Sequence, residues 1–310
     1  MSVSAAASLN LDGSAAAQPL DFTRQSRFSD PGRHAALFDA LPYDPPGAAR
    51  VVQGLFVYEH VAEAWYDVPL DETRRGESHI RTVEEIIDVL LALDAAPLSM
   101  PRPPRCRVVG ICRHYMLLSV AILRHHGVPA RGRGGFGGYF SPETWEDHWV
   151  CEYWNAEEGR WALLDAQFDA LWIERFHLDH DITDVPRDRF LAAADAWRKC
   201  RSGELDPARF GIEFSKLRGL WFVAGSLIRD AATLLGHEIL PWDVWGAQLL
   251  APRELSDDEL AFFDDLALLT ADPDANIGAL RARFAADPRL AVPDLVFNAL
   301  RQRPERLPKA

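Results

Sequence analysis

Three residues that can share one reaction stand in order along this chain: Cys112, His148 and Asp165. Cys112 lies near the start of GICRHYMLLSVAILRHHGVPARGRGGFGGYF (110–140), His148 sits in EDHWVCEYW (146–154), and Asp165 sits in GRWALLDAQ (159–167). A thiol, an imidazole and a carboxylate supply a nucleophile, a base and a group that orients the base. The deprotonated thiol would attack a carbonyl carbon. His148 would pair with the thiolate and later protonate a leaving amine, while Asp165 would hold the other ring nitrogen. The backbone N–H of Cys112 could donate to the oxyanion. Such an attack yields a thioester, which passes to an amine or to water.

The elements that must position these groups are legible in the pattern. Cys112 opens a helix running to about His126, with Leu117, Val120 and Ala121 on its apolar stripe and Gly127 and Pro129 as its stop. At that helix start the macrodipole and free amides favour a thiolate. HWVCEYW (148–154) and RWALLDA (160–166) alternate and are rich in aromatics, with NAEEG (155–159) as the turn of a hairpin. Opposed residues in an antiparallel pair have a constant index sum. His148 and Asp165 sum to 313, which centres the turn at 156.5 and sets the two side chains opposite each other on one face.

TVEEIIDVLLALD (82–94) reads as a helix with a Thr82/Glu85 capping box, ended by the proline-rich PLSMPRPPR (97–105). RGRGGFGGYF (131–140) is a turn or a strand with close backbone approach. Past about 185 the spacing is helical over 188–200, 217–236 and 259–269, with Ser256 and Glu259 as a further capping box. The division expected is a disordered Ala/Ser-rich segment over 1–20, a catalytic core over 21–185 and a helical extension over 186–310.

Bulk composition narrows the class. Lys and Arg number 33 against 46 Asp and Glu, so the net charge is −13. An acidic chain of this kind is not expected to track nucleic acid or an anionic membrane. Of the four cysteines, none forms a CxxC pair, which argues against a zinc ribbon or a thioredoxin-type motif. The first 19 residues lack the basic start and apolar run of a signal peptide, and LWFVAGSLI (220–228) is too short for a span. A reducing cytoplasm with free thiols is the expectation.

The segment 106–167 resembles the core of the transglutaminase-like superfamily. The shared pieces are the Cys at a helix start, the step GVPAR, Gly-Tyr at 138–139, the strand DHWVCEYW and an Asp closing the next strand. The resemblance implies a papain-like α+β core, with a Cys-bearing helix packed on an antiparallel sheet, and with Cys112, His148 and Asp165 as the triad. Some relatives supply an oxyanion donor from an upstream indole, which makes Trp65 a candidate. Trp149 is a candidate wall of the acyl site. The calcium sites and flanking β-domains of the animal enzymes have no counterpart here, and GLWFVAGSLIRDAATLLGHEILPWDVWG (219–246) looks like an extension of bacterial members.

The leading expectation is a cofactor-free cysteine acyltransferase. Its partners would be a small-molecule, peptide or protein acyl donor and an amine acceptor. A hydrolase using the same triad and an inactive binding scaffold are the alternatives. Cys106, Cys151 and Arg131 are read as structural, and His114, His125 and His126 as caps or surface groups. His177, Asp179, His180 and Asp181 in HLDHD read as a solvated loop rather than a metal site.

Overall fold

The computed structural model describes residues 22–248 and 252–309. The segment 1–20, expected to be disordered, lies outside the described residues. The chain begins with α1 (Pro45–Leu55), β1 (Phe56–Tyr58), α2 (Ala62–Tyr66), α3 (Glu72–Gly76), α4 (Val83–Leu93) and β2 (Val108–Gly110). The site-bearing stretch follows: α5 (Cys112–His125), β3 (Ala130–Gly137), β4 (Trp145–Asn155), β5 (Arg160–Leu164) and α6 (Ala170–Phe176). The remainder is β6 (Phe190–Ala192), α7 (Ala193–Arg201), β7 (Phe210–Ile212), β8 (Leu217–Arg218), α8 (Leu220–Leu234), β9 (Asp243–Val244), α9 (Asp257–Ala271), α10 (Pro273–Ala286), β10 (Leu295–Asn298) and β11 (Arg303–Arg306).

Local chemistry sets the helix ends. Thr82 and Glu85 form the reciprocal capping box of α4, and Ser256 and Glu259 form that of α9. Asp44 caps α1 by accepting from the Gly47 N–H, and Pro45 opens its first turn. Helix α5 is buried from Cys112 to Arg124, and α8 from Trp221 to Leu234. Both helices are enclosed on all sides, and their buried polar residues, such as Arg113 and Asp230, are met by hydrogen-bond or charge partners. Both pack on the central sheet, where Gly132 of β3 makes room for them. A Cβ there would sit 2.6 Å from Met116 Sδ and 2.7 Å from Thr233 Cγ2. No described helix is long and apolar enough to cross a membrane.

The central sheet runs β6-β3-β4-β7-β8, with β5 also on β4. Strands β3 and β4 pair antiparallel over their full length, Gly135 beside His148. The opposite edge of β4 is shared. Strand β5 covers residues 151–155 and β7 runs parallel along 145–146. Residues 147–150 are therefore unpaired on that edge, and His148 stands in the gap. The architecture is α+β, a Cys-bearing helix against a largely antiparallel sheet.

The hairpin register differs from the expectation by two. Cys151 opposes Leu164 and Asn155 opposes Arg160, so pairs sum to 315 rather than 313. The turn is 156–159, tightened by Asn155, whose Oδ1 accepts from the Glu157 and Glu158 N–H groups, and closed by Gly159 at φ +62. A slip of two leaves every side chain on its face. Asp165 thus falls opposite Val150, a diagonal neighbour of His148 rather than its direct partner.

Residues beyond 185 are mostly helical, with short strands that the spacing did not reveal. Two of them, β6 and β7, join the central sheet beside β3 and β4. The helical stretch expected at 188–200 divides into β6 and α7, and the one expected at 217–236 begins with β8. Strands of two or three residues are too short for a period to show.

Candidate active site

Cys112 is the first residue of α5, so its N–H has no acceptor within the helix. His114 fixes that start. Its Nδ1 accepts from the Ile111 N–H at 3.2 Å, while Nε2 contacts the Ile80 carbonyl at 3.0 Å. Burial, then the neighbouring Arg113 charge, pushes its pKa down to about 3. His114 is therefore a neutral, structural ring holding the helix start.

His148 Nε2 lies 2.8 Å from Asp165 Oδ2. The other ring nitrogen, Nδ1, is left free of Asp165, and the Cys112 thiol is among the groups that act on the ring. Burial opposes a charged imidazole here. The charge and hydrogen bond of Asp165, joined by those of Cys112, outweigh it and raise the pKa to about 10. A proton on His148 therefore stays through neutral pH. Cys112 is 6%, His148 2% and Asp165 2% exposed, so the groups are nearly dry.

Tyr139 was not among the residues singled out for chemistry. Its hydroxyl donates to Asp165 Oδ2 at 2.7 Å, the same oxygen that meets His148, while Asp165 Oδ1 accepts from the Gln167 N–H at 3.2 Å. Burial and the Asp165 charge hold the phenol neutral, well above its ordinary range. Strand β3 ends at Gly137, and Tyr139 lies in the bend that follows, anchored where the Gly138 N–H donates to the Arg189 carbonyl at 2.8 Å. Phe140 stands 4.9 Å from the His148 ring, and Phe168 and Phe190 lie at 6.5 and 6.4 Å. Together with Tyr139 they enclose the imidazole in apolar rings.

The other candidates are placed elsewhere. Trp149 follows His148 on a strand and so points to the opposite face, where its six-membered ring covers Gly134. It is a buried core residue of the cluster under α5 and α8. Trp65, on α2, packs edge-on to Trp172 at 4.7 Å, with the Arg175 guanidinium 4.6 Å above its ring. Neither indole is brought to the triad through these contacts. Arg131 is buried against Glu152 at 2.5 Å and stacks on Trp161 at 3.8 Å. In HLDHD, Asp179 pairs with Arg189, the His180 ring lies 5.2 Å from Tyr139, and Asp181 caps Thr183. The described residues hold no group of three metal-ligating side chains. All four cysteines are free. Burial pushes the Cys151 thiol up, and that of Cys200 up to about 12.

Residues 104–166 match the transglutaminase-like superfamily core. The chain carries a transglutaminase-like core. The match spans β2 to the end of β5 and contains Cys112, His148 and Asp165 in that order. Among solved structures, a candidate cysteine protease from Cytophaga hutchinsonii is 18% identical, with a TM-score of 0.31, over 60% of this chain and 50% of that one. A likeness this loose says nothing of this protein's chemistry. No curated protein matches the chain. The transglutaminase-like core groups the protein with cysteine-dependent enzymes.

Proposed function

We propose that this protein transfers an acyl group through a thioester on Cys112. The reading rests on one observation above others: Asp165 holds His148 Nε2 at 2.8 Å, and the Cys112 thiol is near enough to act on the same ring. The Cys112 sulfur attacks the donor carbonyl, and its proton resides on His148. The tetrahedral intermediate collapses as His148 protonates the leaving group, leaving the thioester. The Cys112 N–H donates to the oxyanion. Asp165 holds the imidazole in the required orientation, and Tyr139 steadies Asp165. A second attack, with His148 as base, releases the product.

Transfer is favoured over hydrolysis by the dryness of the site. The imidazole is enclosed by Tyr139, Phe140, Phe168 and Phe190, so water must compete with an amine in an apolar enclosure. A scaffold without activity would gain nothing from a buried imidazole held charged beside a thiol.

The test is partition of a preformed thioester. The protein is acetylated with 4-nitrophenyl acetate, desalted, and divided between buffer and buffer with a primary amine. Faster decay with amine, giving the acetylated amine as main product, is the expected result. Equal decay with free acetate as the sole product would make the protein a hydrolase.

A further inference from the structure

We propose that the Tyr58 hydroxyl is the side-chain hydrogen-bond donor to the oxyanion formed at Cys112. This rests on the thioester reading above and extends it to a residue outside the triad. Strand β1 pairs in parallel with β2 and sets Tyr58 beside Gly110, two residues before Cys112. Tyr58 packs against two apolar clusters at once. One contains Cys112, and the other contains Tyr139, Phe168 and Trp172 from the His148 side. Tyr58 thus lies between the Cys112 side and the aromatic side that encloses His148.

Two further features fit the role. Tyr58 is held at its edges by Trp172 at 5.4 Å and His60 at 5.5 Å between ring centroids. Its hydroxyl, unlike those of Tyr66, Tyr139 and Tyr153, has no hydrogen-bond partner among the described residues. Burial, and then the Cys112 charge, holds the phenol well above its ordinary range, so it remains a neutral donor at working pH. No proton is transferred: the O–H stabilises negative charge on the carbonyl oxygen while the sulfur–carbon bond forms. From Tyr58 the rings continue through His60 to Phe214, 4.6 Å further and 68% exposed, which marks an approach from solvent.

The experiment compares Tyr58→Phe with the full-length protein in two reactions of Cys112. Iodoacetamide alkylates at saturated carbon and forms no oxyanion, whereas acetylation by 4-nitrophenyl acetate forms one. Tyr58→Phe is expected to slow acetylation by roughly 10²-fold while alkylation stays within about twofold. Equal acetylation overturns the proposal, as does an equal fall in both reactions, which would mean a structural role. Loss confined to Trp65→Phe, with Tyr58→Phe silent, assigns the donor to the indole and also overturns it. Wild-type protein that alkylates but never acetylates overturns the thioester reading, and this proposal with it.

Discussion

Two buried charge clusters lie along the same pair of strands, β3 and β4, and they behave oppositely. At one, His148 faces Asp165, Tyr139 and Cys112. Roughly 13 Å along β4, Glu152 faces Arg131 and Arg133, and Arg133 also grips Asp230 of α8. Burial works against both Glu152 and Arg133. Glu152 is nonetheless driven well below the usual carboxylate range by Arg131, Arg133 and Arg187, and Arg133 is held charged by Asp230 and Glu152. Asp230 also takes the Gly134 N–H at 2.9 Å, on the edge of β3 that β6 leaves uncovered. Every charge there is met by an opposite one. The other cluster instead sets an imidazole between a carboxylate and a thiol, the arrangement that the proposed function uses. The same sheet thus uses buried charge once as a bolt tying α8 to β3, and once, on the function proposed above, as a reaction centre.

Substitutions should separate the two roles. The largest effect on chemistry is expected from Cys112→Ala, which removes acetylation and lowers any turnover by at least about 10⁴-fold. Far-ultraviolet dichroism should be unchanged. Asp165→Asn should cost about 10⁴-fold in rate and move the alkaline limit of activity. The wild-type limit lies where His148 loses its proton, at about pH 10. Without the Asp165 charge, burial dominates and that limit falls toward or below the ordinary imidazole range. The sign carries over to stability. Because the folded value lies above the unfolded one near 6.5, the pair's contribution is present at low pH and lost as pH rises through about 10. A wild-type limit near pH 6.5 would contradict the comparison.

Asp230→Ala belongs to the other cluster and should act on stability instead. It strands part of the Arg133 charge and the Gly134 N–H, at a cost of about 3–5 kcal/mol by urea denaturation. The pH profile of the folded fraction should stay that of the wild type. Tyr139→Phe should be the mildest. Losing one hydrogen bond to an ionised carboxylate costs about 1.5–3 kcal/mol, seen as a fall in rate of roughly 10- to 150-fold. A shift in the pH limit should accompany it, which a packing defect alone would not produce.

Much of the site was legible because its signals are local. A cysteine before an apolar helical stripe, and an alternating hairpin carrying a histidine and an aspartate, need no tertiary knowledge to place. The register was off by two because the turn is four residues centred beyond the expected point. The period-two rule preserved the face all the same. Tyr139 was missed because it lies in the bend after β3, where no period orients its side chain, and its bond to Asp165 is a tertiary contact. Tyr58 was out of reach for another reason. Its proximity to Cys112 arises from parallel pairing of β1 with β2, across 49 residues between the strands' ends and starts that carry no pairing signal. Trp65 drew attention as an upstream indole, but its ring is taken up by Trp172 and Arg175.

The central claim is that Cys112, activated by His148, carries the acyl group. Intact-mass measurement after brief exposure to 4-nitrophenyl acetate and an acid quench tests it most directly, with peptide mapping of the adduct. The account predicts one acetyl group per chain, on Cys112, labile to hydroxylamine, and strongly diminished in His148→Ala. Acetylation spread over surface lysines, or an adduct on Cys112 that forms equally fast in His148→Ala, would contradict it.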